Sequence, residues 1–214
     1  MATNKAILIS RPHHDPVTKY LCEWSEDVVD LARAKQIPIY DLKGQKANKG
    51  EFDSYIKKQN PSFIFLNGHG NSQEITGDGN KTIVDSGSVL TNKIVYARSC
   101  DAGQLLGHNL INNGASAFIG YKRKFAFLYS PEKLSRPKDD NIAQIFLAPS
   151  NLVASTLLKE HTVADAHGRS VAAMYKNFVK LLVSTASYEE RYAAKLLWSN
   201  LRNQVLLGSP SVSI

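Results

Sequence analysis

Two cysteines in 214 residues, Cys22 and Cys100, are too few for a disulfide framework. That scarcity fits a reducing compartment, where a Cys22–Cys100 bridge is not expected. No run of ~18 apolar residues occurs, so no membrane-spanning helix is expected. The opening "MATNKAILIS" has too short an apolar run for a signal peptide, and a soluble, cytoplasmic protein is the expectation. Zinc-finger spacing, a recognition-helix pattern and aromatic–basic interleaving are all missing. Nucleic acid is therefore not an expected partner, although the formal charge is +7. Neither GxGxxG nor the glycine–lysine pattern of a P-loop accompanies any apolar run, which places nucleotide binding last among the functions considered. No linker composition, repeat or low-complexity tract divides the chain. Residues 1–214 are thus expected to form one domain around one substantial core.

What is present is an alternation. Short, almost wholly apolar runs at 6–10, 37–42, 62–67, 93–98 and 115–121 read as buried strands. Between them lie helical patterns: an amphipathic one from Pro16 to Gln36, a short one at 49–59, and one at 101–114 stopped by Gly114. This order predicts an α/β protein with a mostly parallel central sheet and helices on both faces. Residues 140–207 read as mostly helical. Residues 128–141, polar and proline-bearing, are expected to form a mobile loop near the active rim.

In such sheets functional groups collect beyond the carboxyl ends of the strands. Three chemistry-bearing residues follow strands here: Asp15 after the first, His69 in "FIFLNGHGN", and Cys100 in "KIVYARSCDAG". A cysteine becomes a useful nucleophile when it is accessible and its thiolate is stabilised by an imidazole or a helix N-terminus. Cys100 is expected to have both, from His69 and from a helix beginning near Asp101. The pair would then act as a peptidase dyad. Cys100 attacks a peptide carbonyl, His69 protonates the leaving amine and then activates water, and the N–H groups of Gly70 and Cys100 hold the oxyanion. A histidine between glycines alone reads as a turn, and a cysteine at a strand end alone reads as inert packing. Their joint placement carries the reading.

The adjacent histidines of "HHD" (13–15) point apart on an extended chain and have no obvious second ligand cluster, so no metal site is expected. Asp101 reads first as a cap for the following helix. Cys22 reads as core, and His108, His161 and His167 as ordinary helical residues.

The blocks "FIFLNGHG" and "IVYARSCDAG" resemble the paired motifs of the caspase-like cysteine peptidases, a group that includes caspases, metacaspases, legumain, separase, gingipains and bacterial CHAT peptidases. The resemblance implies the caspase–hemoglobinase fold, with His69 and Cys100 as catalytic dyad and Gly70 as oxyanion donor. Within the group the chain is most similar to the bacterial gingipain-like and CHAT-like enzymes. Its ending "LLGSP" resembles their "LLGDP", with Ser209 in place of the aspartate. By position the resemblance makes Asp15 an S1 carboxylate that selects arginine or lysine at P1. Arg11 and Arg98 near the rim keep an acidic P1 open, and Asp101 is a further candidate for substrate binding. Asp78 and Asp85, between the two motif-bearing strands, are candidates for binding calcium, which some relatives do, though solvation is the plainer role. A silent caspase-like scaffold is the alternative from another functional class. A protein or peptide substrate and a regulatory protein partner are the expected partners. Basic residues in "YKRKF" and at 133–138 would also permit self-cleavage.

Overall fold

The computed structural model describes residues 4–183 and 185–214. Residues 1–3, which begin the stretch read above for a signal peptide, lie outside the described residues. Strand β1 (Asn4–Arg11) runs into helices α1 (Pro16–Trp24) and α2 (Glu26–Ala34), then β2 (Ile39–Lys43), α3 (Lys49–Gln59) and β3 (Pro61–Asn67). A small hairpin, β4 (Glu74–Thr76) and β5 (Thr82–Asp85), precedes β6 (Ile94–Arg98), α4 (Leu106–Asn112) and β7 (Ala117–Tyr121). Three long helices follow, α5 (Asn141–Leu157), α6 (Val163–Lys180) and α7 (Tyr188–Asn203), and β8 (Gln204–Gly208) ends the order. Among the described residues no helix is long and apolar enough to cross a membrane.

The main sheet has the order β2-β1-β3-β6-β7-β8 and is parallel except for β8, which pairs antiparallel to β7. Side chains alternate across it as the pleat requires. Ile7, Ile9, Phe63, Phe65, Ile94 and Tyr96 pack with α1, α2 and the three long helices. Leu8, Ile64, Leu66, Val95 and Ala97 pack on the other face with α3, α4 and the hairpin. Both faces are covered, which is why the strands read as continuous apolar runs.

Four expectations are corrected here. The helix expected over 101–114 spans only Leu106–Asn112, because Asp101 takes a left-handed conformation (φ 59°) and the chain turns before it coils. The long helix expected from Pro16 is divided at Ser25, whose hydroxyl donates to the Leu21 carbonyl at 2.5 Å. Residues 204–208, read as helical, form an edge strand. The 128–141 segment is anchored rather than loose. Tyr20 Oη and the Ser130 N–H both donate to Asp140, each at 2.7 Å, and Trp24 Nε1 donates to the Pro137 carbonyl at 3.0 Å.

Candidate active site

The Asn67–Arg98 pair is the last in register between β3 and β6. His69 and Cys100 each lie two residues beyond it, so neighbouring parallel strands deliver them to the same level of the rim. Adjacent strands are spaced by ~4.8 Å. The two loops touch: a Cβ on Gly70 would lie 2.2 Å from Ser99 Oγ and 2.6 Å from the Glu74 carbonyl oxygen, so only glycine fits there. His69 and Cys100 line one shallow notch together with Val17, Leu21, Arg98, Phe125 and Phe127.

Gly70 has a specific backbone setting. It pairs with Ile75 across the hairpin, and the flanking bonds are Asn71 N–H to the Glu74 carbonyl (3.0 Å) and Thr76 N–H to the His69 carbonyl (2.9 Å). That pattern makes Gly70–Ile75 a non-hydrogen-bonded pair, so the Gly70 N–H is left out of the ladder. The phosphate-cradle reading of "NGHGNS" fails for a related reason. The segment leads into a hairpin and offers no helix N-terminus.

His69 has a partner that the sequence did not reveal. Its Nε2 lies 2.6 Å from Asp15 Oδ2. Burial works against ionising Asp15, yet the Thr18 backbone N–H and the His69 ring outweigh it and hold the carboxyl below its ordinary value. A carboxyl held low stabilises the fold above its unfolded pKa and loses that contribution as pH falls through the folded value. Asp15 is therefore an anion at neutral pH, and His69 Nε2–H donates to it. That leaves Nδ1, which has no hydrogen-bond partner among the described residues, as the basic nitrogen.

Asp15 itself is held by a helix cap. It is the N-cap of α1, accepting from Thr18 N–H at 2.8 Å, with Pro16 at the first helical position. The cap signal "DPVT" was present in the sequence. The contact across 54 residues to His69 was not.

The basic-P1 expectation for Asp15 meets an obstacle, since Thr18 occupies Oδ1 and His69 occupies Oδ2. No carboxylate lines the notch among the described residues. The acidic-P1 expectation meets an obstacle as well, although Arg98 lines the notch. Arg98 is fully buried and its guanidinium is spent on Asn67, Ser150, Asn151, Leu21 and Ser25. Arg11 is equally buried against Asp41 and Glu26. Neither is free for a substrate carboxylate. Asp101 is not in the notch lining; its Oδ1 accepts from Gln104 Nε2 at 2.9 Å, within its own turn. Cys22 is buried as core, and burial pushes its thiol up to about 11.

Cys100 is partly exposed, with Sγ 4.0 Å from the Phe125 carbonyl oxygen. Burial raises its pKa, and the neighbouring Asp101 charge adds to the rise. No helix starts directly behind it, so the expected dipole assistance is absent. The resting state is a neutral thiol. Iodoacetamide labelling of Cys100, followed by mass spectrometry across a pH series, is expected to show a midpoint above the ordinary ~8.5. A midpoint well below that value would mean a preformed thiolate–imidazolium pair.

No family model matches the chain, and no curated protein matches it. Solved structures do. A complex of the Porphyromonas gingivalis RgpB pro- and mature domains aligns over 99% of this chain and 48% of its own, at 13% identity and a TM-score of 0.60. The Arg-specific cysteine proteinase gingipain R (RgpB) aligns over 98% of this chain and 47% of its own, at 13% identity and a TM-score of 0.62. The chain spans about half the length of the structures it matches. The likeness establishes the caspase-like α/β fold of gingipain.

Proposed function

We propose that the chain is a cysteine peptidase in which Cys100 is the nucleophile, His69 the acid–base and Asp15 the group that orients His69. The observation that carries this reading is that His69 and Cys100 leave paired strands at one level and line one notch. The fold shared with cysteine proteinases supports it.

The neutral thiol defines the order of events. A peptide carbonyl seats in the notch, and the Cys100 proton passes to His69 Nδ1 as sulfur attacks carbon. The ring becomes an imidazolium, stabilised through Nε2–H by the Asp15 carboxylate. Negative charge gathering on the carbonyl oxygen is met by the N–H groups of Gly70 and Cys100. His69 then gives its Nδ1 proton to the leaving amine, and the acyl group stays on sulfur as a thioester. Water, deprotonated by the same nitrogen, attacks the thioester, and the proton returns to the departing thiolate.

Two readings of P1 follow. An arginine or lysine preference is supported by the Arg-specific neighbour. An uncharged, apolar P1 is supported by Val17, Leu21, Phe125 and Phe127 in the walls of the notch, where the one cation, Arg98, is already fully bonded, and by the commitment of both Asp15 oxygens. The walls favour the apolar residue. A fluorogenic peptide panel varied at P1 tests both readings, with Cys100→Ala as control. Cleavage after leucine, phenylalanine or alanine at least tenfold faster than after arginine is expected. The reverse order restores the basic preference, and equal turnover by Cys100→Ala removes the peptidase reading.

A further inference from the structure

The "HHD" stretch gains in the structure the ligand that its sequence lacked. His14, Asp15 and His69 bring three donor atoms within 4.8 Å of one another, the one such group of histidine, cysteine or acidic side chains among the described residues. His14 Nε2 lies 3.4 Å from Asp15 Oδ2, and His69 Nε2 lies 2.6 Å from the same oxygen. Donors on a tetrahedral zinc ion at 2.0–2.1 Å are separated by about 3.3 Å. The His14–Asp15 edge already has that spacing. The His69–Asp15 edge reaches it if the contact opens by under ~1 Å.

A second observation points the same way. His14 Nδ1 is buried without a hydrogen-bond partner, and Asp78 Oδ1 stands 3.6 Å behind it; a metal on Nε2 would replace that nitrogen's present contact with Asn80 Oδ1 at 3.2 Å. A carboxylate behind the far ring nitrogen is the arrangement that orients metal-bound histidines and raises their basicity. His13, whose ring packs against Gly44, is turned elsewhere, so the site takes one histidine from each of two segments. Two imidazoles and one carboxylate suit zinc and exclude calcium or magnesium, which take oxygen donors.

We propose that His14, Asp15 and His69 form a zinc site and that its occupation switches the peptidase off. The binding stands on geometry alone, whereas the inhibition rests on the peptidase reading above. Zinc takes the lone pair of His69 at Nε2, so the proton of the neutral ring must sit on Nδ1. An Nδ1 already carrying a proton cannot accept the one from Cys100. Zinc also removes the Asp15 carboxylate from its orienting bond. The bound metal thus disables the base without touching the nucleophile.

The test separates the two halves. Metal-free Cys100→Ala protein is titrated with Co²⁺, read by visible absorption, and then with competing Zn²⁺. One equivalent bound by Cys100→Ala, with affinity falling at least tenfold in His14→Ala and in His69→Ala, is expected. Activity of the parent and of His14→Ala is then measured in chelator and in buffered Zn²⁺. His14→Ala is expected to keep its turnover in chelator and to need at least tenfold more zinc for inhibition. Binding that disappears in Cys100→Ala and persists in His14→Ala would place the metal on the Cys–His pair and overturn the site. Binding unchanged in all three variants, or no binding at all, would overturn it too. Should no peptide be cleaved under any condition, the cobalt spectra still decide the site, while the peptidase reading falls and the inhibition with it.

Discussion

Alanine at Cys100, alanine at His69, and both together are expected to leave the same residual turnover, each below the parent by on the order of 10⁴-fold or more. Groups that act as one unit are not additive. Once sulfur is gone His69 has no proton to accept, and once the ring is gone the neutral thiol has no base. The raised Cys100 pKa sharpens this expectation, because the protein supplies no resting thiolate to work alone. Far-ultraviolet circular dichroism should be unchanged, since His69 is partly exposed and the Cys100 side chain makes no hydrogen bond shorter than 4.0 Å among the described residues. Steady-state kinetics on the best peptide checks the result. A double variant slower than either single one by the product of their effects would mean independent roles and would remove the dyad.

Replacing Arg98 with methionine is expected to destabilise the fold by about 3–5 kcal/mol, through a buried charge network that loses one member and keeps the rest. The guanidinium has five N–H donors. They meet Asn67 Oδ1 (2.7 Å), Ser150 Oγ (3.1 Å), Asn151 Oδ1 (2.9 Å), the Leu21 carbonyl (3.0 Å) and Ser25 Oγ (2.6 Å). Burial brings the group down to about 10, so it remains a cation at neutral pH, held by five hydrogen bonds and by the Phe65 ring 4.9 Å away. Exchanging a whole buried polar cluster for hydrocarbon is often neutral, but methionine removes only the donors. The Leu21 carbonyl, Ser25 Oγ and Ser150 Oγ keep other partners, but Asn67 Oδ1 and Asn151 Oδ1 are left unpaired in the core, at about 1–3 kcal/mol each. At roughly 2–4 °C per kcal/mol for a chain of this size, Tm should fall by roughly 6–20 °C. Lysine should not rescue it, because an ammonium lacks the planar fork. A fall in Tm of under about 2 °C on thermal denaturation would show that the network carries no net stability.

The same arginine shows where sequence reading stopped. Arg98 was placed at the rim because it ends an apolar run and precedes a cysteine. Arg98 does line the notch, but 94, 96 and 98 share a face, Ile94 and Tyr96 point into the helical layer, and the guanidinium follows them there. The five parallel strands were legible because strands buried on both faces must be apolar throughout. The levels of His69 and Cys100 followed from the strand ends. The β8 strand was not legible. "QVLLG" continues the helical pattern of α7, and only the open edge of β7 makes it extend. The hairpin of β4 and β5 is short and polar outside, with a weak period of its own. Asp15 was found, but its role changed, because a 54-residue separation hides the bond to His69.

The wall segment of the notch has a consequence of its own. Ala126, between Phe125 and Phe127, gives its N–H to Asn200 Oδ1 at 3.1 Å, and its carbonyl accepts from Asn200 Nδ2 at 2.7 Å. A residue whose two adjoining peptide groups are both held by a buried amide of α7 resists straightening into the extended form that an opposing protease requires. Under the proposed peptidase function, the exposed lysines and arginine beside it would be poor sites for cleavage by a second copy of the chain, however basic they look. Maturation by nicking at this point would first demand that the last helix let go.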